Sequence, residues 1–142
     1  MDKAVILYNS KTGTTGKYAR EIGKYIETKG VEVQISSIQG YQHNEGILDR
    51  ADYVFLGCWT SGLMIVLQHP EDVWKKFAAE LPKMPNAKLV LFTTYKILTG
   101  SMFRNMYKEL DGKFPEPSLE LKSRNGMLSA QNEKVLGNFF RK

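Results

Sequence analysis

Cysteine is nearly absent: Cys58 stands alone in 142 residues, so no disulfide can form within the chain. Histidine is scarce, with 2 copies: His43 sits in a polar stretch and His69 precedes Pro70. No Cys, His or acid pattern at ligand spacing offers a metal site. Long apolar runs are missing. The opening run "AVILY" is shorter than a signal-peptide core, and no later run reaches the roughly 20 residues of a membrane-spanning helix. A cytoplasmic protein without a membrane span is expected. Internal repeats and low-complexity linkers are also lacking, and no Ser-His-Asp or Cys-His constellation can be assembled.

The charge is uneven. The formal net charge is +5, yet residues 83–142 hold 11 Lys/Arg against 5 Asp/Glu, whereas residues 1–82 hold 9 against 10. A basic half favours an acidic protein, a phosphorylated ligand or nucleic acid. No basic cluster is interleaved with aromatics on a groove-reading helix, so nucleic acid is not expected. The length suits one domain, residues 1–142, with one core.

Strand-like and helix-like segments alternate. "AVILYN" (4–9), "YVFLGCW" (53–59) and "AKLVLFTTY" (87–95) read as strands buried on both faces. "VEVQISSI" (31–38) and "SLELKS" (118–123) alternate apolar and polar residues, as edge strands do. Residues 15–29 place Tyr18, Ala19, Ile22, Tyr25 and Ile26 on one helical stripe, with Gly30 as a stop. Residues 40–51 read as a loop with one helical turn. Pro70, Glu71 and Asp72 suit a first helical turn, with Val73, Phe77 and Leu81 inward. Ser101 is placed to cap a helix with Met102, Phe103, Met106, Tyr107 and Leu110 inward, ending at Gly112. Ser129 opens a last helix, with Val135, Leu136, Phe139 and Phe140 inward. The pattern predicts an α/β fold: a doubly wound parallel sheet of five strands, helices on both faces, strand order 2-1-3-4-5. Ligands of such sheets sit beyond the carboxyl ends of the strands at the switch point, here the loops 10–15, 59–69 and 94–101.

The first of these loops, "SKTGTT", packs Ser10, Thr12, Thr14 and Thr15 around Gly13 before a helix N-terminus. Free N–H groups and a partial positive charge gather there, and hydroxyls add donors. A phosphate monoester fits this chemistry; a helix cap with incidental threonines is the plainer alternative. The loop lacks the Gly-Lys-Ser/Thr of a P-loop and the GxGxxG of a dinucleotide fold. No Asp ends the first or third strand, which excludes a phospho-accepting receiver.

This stretch resembles the phosphate-binding signature of flavodoxins. Ile6 and Leu7 precede aromatic Tyr8, and Ser10, Gly13, Thr15, Ala19 and Ile22 fall at the signature's spacings. The resemblance covers essentially the whole chain and is of the short-chain type, since the fifth strand carries no long insertion. It implies a flavodoxin-like domain binding FMN non-covalently, with Ser10, Thr12, Gly13, Thr14 and Thr15 holding the phosphate. Lys11 either adds a charge beside it or is solvated.

In flavodoxins the flavin ring lies between loops after the third and fourth strands. By resemblance these supply Cys58, Trp59, Thr60, Ser61 and Gly62 on one side and Thr93, Thr94, Tyr95 and Lys96 on the other. This chain departs from the family at the aromatics. Trp59 stands two places before the usual stacking position, occupied by Ser61, and either stacks on the ring or packs in the core. Tyr95 either stacks or lines the wall. The resemblance gives Gly62 a peptide that turns toward flavin N5, and Thr93, Thr94 and their backbone amides are placed to reach the pyrimidine edge. Lys96 replaces the acidic residues usual there; it either makes the potential of the fully reduced flavin less negative or points to solvent. Cys58 reads as a small buried thiol. The run "LMIVL" (63–67) either covers the ring, docks a partner, joins a dimer or fills the core.

The resemblance implies electron transfer to redox partner proteins. Two other readings remain. One is an FMN-dependent NAD(P)H reductase of a quinone-like or conjugated substrate, which the basic half and the apolar loop suit. The other is a binding module without flavin. Oligomeric state is left open.

Overall fold

The opening apolar run forms β1 (Lys3–Asn9). The computed structural model describes residues 2–60, 72–96 and 99–141 and sets β1 inside a sheet with neighbours on both sides. The other strands are β2 (Glu32–Ser37), β3 (Tyr53–Trp59), β4 (Lys88–Thr94) and β5 (Leu119–Ser123). Their order is β2-β1-β3-β4-β5 and every pairing is parallel. Val5 lies beside Val54, and Val54 beside Leu89. The expected architecture and strand order are therefore those of the protein.

The period-two geometry of the strands builds two apolar layers. Val5, Leu7, Val54, Leu56, Leu89 and Leu91 face one side, beneath α2 (Ile38–Tyr41), α3 (Asp72–Glu80) and α4 (Met102–Glu109). Ala4, Ile6, Phe55, Val90 and Phe92 face the other, beneath α1 (Thr14–Glu27) and α5 (Ala130–Phe139). Residues Ala4 to Leu7 are wholly buried. Burying an Ile, Leu or Val side chain contributes about 1.5–3 kcal/mol, so β1 is a main source of stability.

Several local expectations differ from the structure. Val73 is 45% exposed, and the inner stripe of α3 is Trp74, Phe77, Ala78 and Leu81. Phe77 and Leu81 lie inward as expected, and Trp74 takes the inner place expected of Val73, which buries the larger indole. Ser101 precedes α4 but does not cap its backbone; its hydroxyl accepts instead from the Asn105 side chain at 3.2 Å. The segment 40–51 contains the end of α2 and a separate 3-10 turn at Glu45–Leu48, with Ser37 capping α2 through the Gly40 N–H. Ser129 does cap α5, accepting from the Asn132 N–H at 3.0 Å. Ser61, Gly62, the run 63–67, His69, Pro70 and Glu71 lie outside the described residues.

Asn9, Trp59 and Thr94 end their strands at the same edge of the sheet, so three loops leave it together. Gly57, two residues before this edge on β3, pairs with Phe92. A Cβ at Gly57 would stand 2.1 Å from the Phe92 ring, which is itself fully buried. Gly57→Ala is expected to destabilise the protein by about 3 kcal/mol or more through overpacking. Urea denaturation monitored by circular dichroism measures it, and an unchanged midpoint would refute the close approach.

Candidate functional site

The loop between β1 and α1 is shaped by its own side chains. The Ser10 hydroxyl oxygen accepts from the Gly13 N–H at 3.0 Å, closing a tight turn. Gly13 has φ +92°, a left-handed conformation that costs an L-residue about 1–2 kcal/mol. A Cβ there would meet nothing within 4 Å, so its surroundings are open. The helical ladder begins with the Lys17 N–H on the Gly13 carbonyl at 2.9 Å. The N–H groups of Thr14, Thr15 and Gly16 therefore precede the first possible intrahelical bond. Thr12 and Thr14 share a hydroxyl contact of 3.3 Å at the rim.

Thr15 is used differently from its neighbours. It is buried, and its hydroxyl meets that of Thr94 at 2.6 Å. Thr94 in turn accepts the Thr60 N–H on its carbonyl at 2.8 Å. One residue at the end of β4 thus holds both the β1–α1 loop and the segment after β3. A second hydroxyl chain runs beside it. Thr93 contacts the Cys58 carbonyl at 2.6 Å and the Thr60 hydroxyl at 2.8 Å. A carbonyl cannot donate, so Thr93 gives its single proton to Cys58 and Thr60 donates to Thr93. Thr93 and Thr94 are both buried, and their hydroxyls bond within the protein.

The aromatic residues divide. Trp59 is half-buried against the core layer of α3 and α4, and the Lys11 ammonium lies 4.7 Å from its ring centre. Trp59 thus joins the β3 end to the hydroxyl loop. Tyr95 is half-buried at the β5 side, its N–H on the Ser123 carbonyl at 3.2 Å. Lys122 and Arg124 lie 5.9 and 5.4 Å from its ring centre. Lys96 is exposed, and Cys58 is fully buried with the Asn9 amide 3.6 Å from its sulfur. Of the candidate residues described, the structure brings Ser10 to Thr15, Cys58 to Thr60 and Thr93 to Lys96 to one end of the sheet.

Some residues here were not legible as site residues. Asn9 is a buried polar group ending an apolar strand, a pattern that itself signals a functional edge. The turn after β5 packs on the first turn of α1: a Cβ at Gly126 would stand 2.9 Å from the Thr14 carbonyl. The Asn-Gly pair at 125–126 is a turn signal, though nothing local says which loop it meets. Beneath them the Tyr18 hydroxyl donates to the Asn132 carboxamide oxygen at 2.6 Å. Burial, and secondarily the nearby Tyr95 phenol, push the Tyr18 pKa well above its ordinary 10.0.

Two outcomes are expected. Thr15→Val leaves the Thr94 hydroxyl buried without its partner and costs about 1–3 kcal/mol, whereas Thr15→Ser restores most of it. Urea denaturation of both variants measures this, and equal losses in both would argue against the hydroxyl bond. Tyr18 stays protonated in the folded state above pH 10 while the unfolded phenol ionises. Its contribution is complete below pH 10 and is lost as pH rises further, by about 1.4 kcal/mol per pH unit. In a stability–pH series, Tyr18→Phe should decline less steeply above pH 10 than the parent; parallel curves would contradict the shift.

Comparison with known proteins places this geometry. No curated protein matches the sequence. Solved structures are similar over nearly the full chain. A flavodoxin from the domain Archaea superposes with a TM-score of 0.69 at 19% identity, covering 97% of this chain and 93% of its own. Oxidised flavodoxin 1 from Bacillus cereus gives 0.68 at 18% identity, covering 98% and 95%. Two-electron reduced Megasphaera elsdenii flavodoxin gives 0.69 at 22% identity, covering 96% and 97%. At these identities the likeness is one of fold. The family model described as a flavodoxin domain matches residues 5–109, which span the hydroxyl loop and the ends of β3 and β4. The chain belongs to the flavodoxin-domain family.

Proposed function

We propose that this chain, as one domain over residues 1–142, binds FMN non-covalently and passes electrons to a partner protein. The observation that carries the reading is the loop 10–16. It offers three backbone N–H groups at the start of a 14-residue helix, an open left-handed glycine, and the hydroxyls of Ser10, Thr12 and Thr14. Together these form a donor set suited to a phosphate dianion. The hydroxyl oxygen of Ser10 accepts from Gly13 but keeps its own proton to give.

In this reading Ser10, Thr12, Gly13 and Thr14 hold the phosphate, and Lys11 adds charge while bridging to Trp59. Thr15 positions the loop through Thr94 rather than donating outward. Trp59, Thr60, Tyr95 and Lys96 border the flavin ring, with Ser61 and Gly62 completing the segment after Thr60. Cys58 and Thr93 support that segment from within. When bound, FMN supplies one- and two-electron chemistry; the protein binds it, orients it and tunes its potential. Among the described residues no ion-paired acid lies at this edge of the sheet. A lone cysteine suits a reducing compartment, and the reading places the carrier in the cytoplasm.

A flavin fluorescence titration tests the reading. FMN is expected to bind at least about tenfold more tightly than riboflavin, which lacks the phosphate. Gly13→Ala should weaken FMN binding by about tenfold or more through backbone strain, and riboflavin binding much less. Equal affinities for FMN and riboflavin, or no binding of either, would overturn it. With FMN bound, rapid NAD(P)H consumption without a partner would favour the reductase reading instead.

A further inference from the structure

The edge of the sheet that carries the three loops is also a concentration of positive charge. Lys11, Lys96, Lys122 and Arg124 are all exposed. Three of them lie over aromatic rings: Lys11 over Trp59, and Lys122 and Arg124 over Tyr95. Trp59 and Tyr95 are themselves held close, since the Thr60 N–H bonds the Thr94 carbonyl at 2.8 Å. Among the described residues none of these four cations forms an ion pair; the salt bridges there are Lys24–Glu21 and Lys75–Asp72, on α1 and α3. Beside Arg124 the same turn exposes Met127, 46% accessible, with its backbone pinned by Ser123 and Asn125.

Unpaired, positioned cations around an exposed apolar side chain form a docking surface with a sign. The ring contacts restrain the side chains, so less rotamer entropy is lost when they meet an anion. The cations lie at or just beyond the carboxyl ends of β1, β4 and β5, at one edge of one parallel sheet. Their fields therefore add, and a partner bearing carboxylates is steered to this edge. We infer that the rim formed by Lys11, Lys96, Lys122, Arg124 and Met127 is a docking surface for an acidic protein, whose carboxylates surround a small apolar contact. The inference rests on the electron-transfer reading for its purpose, but the surface stands on its own geometry.

Nucleic acid would answer to the same charge. The rim is compact rather than a groove or stripe, and its two aromatics are half-buried and already capped by cations. Each ring already carries a cation, so a carboxylate-rich protein face is a better fit than stacked bases.

The experiment is an amide-shift titration of the 15N-labelled chain with a ten-residue oligoglutamate, with saturating FMN present at about 0.1 M salt, where the Debye length is about 10 Å. Shifts are expected to concentrate at the rim and to fade at higher salt. Lys122→Glu with Arg124→Glu should weaken oligoglutamate binding by about tenfold while the amide spectrum of the core strands is unchanged. A control of equal net charge, Lys29→Glu with Arg141→Glu, alters the groove between the C-terminal ends of α1 and α5. A 14-residue helix puts that groove about 20 Å from the loop, so the control should weaken binding less than twofold. Shifts spread over all lysines, shifts centred on the groove, or equal losses in both double variants would overturn the proposal. So would a single-stranded DNA of equal charge that binds the rim more tightly than oligoglutamate does. If FMN fails to bind, the function proposed above falls, while the shift map still decides the rim.

Discussion

Thr94 is the point on which the loop cluster depends. Its hydroxyl meets Thr15 and its carbonyl takes the Thr60 N–H, so the end of β4 fixes the loops that follow β1 and β3. The hydroxyl contact is buried, where an unmade hydrogen bond costs far more than in water. The parallel pairing of β1, β3 and β4 makes this possible, because it brings three carboxyl ends to one edge at matched height. The Thr60–Thr93–Cys58 chain doubles the fastening on the β3 side. A site made of loops is thereby mounted on the stiffest part of the molecule.

The same edge shows how charge and packing divide the labour. The donors for a phosphate are backbone N–H groups and small hydroxyls, held by Gly13 and Ser10. Lys11, Lys122 and Arg124 stand outside them, each near an aromatic ring. A cation on a ring keeps its full charge, whereas a cation paired with a carboxylate loses its outward field. The rim of this protein is therefore positive without a cluster of bare, freely rotating lysines. This differs in kind from the acidic surroundings that the flavodoxin resemblance brings to mind for the segment after the fourth strand.

The architecture was legible because its signals are local and strong. Three runs of uninterrupted apolar residues mark the inner strands, and two alternating runs mark the edges. The hydroxyl loop was legible for the same reason, since all its members lie within six residues of the chain. The first inward residue of α3 was not. Val73 and Trp74 both fit an apolar stripe, and only the space beneath the helix favours burying the indole. The roles of Thr15, Thr93 and Thr94 were also hidden. They look alike in sequence, yet Thr15 bonds Thr94 across 79 residues of chain and Thr93 bonds Thr60 across 33.

Periodicity, turn residues and the spacing of Ser10 to Ile22 by themselves determined an α/β sheet of order 2-1-3-4-5 with a phosphate-suited loop at its switch point. They could do so because each depends on neighbours within one turn or one strand. Which hydroxyls face outward, where Trp59 and Tyr95 lie, and how Lys11, Lys122 and Arg124 come to share one rim were decided only by tertiary structure. These depend on contacts between β1, β3, β4 and β5, whose residues are far apart in the chain and meet only when the sheet has formed.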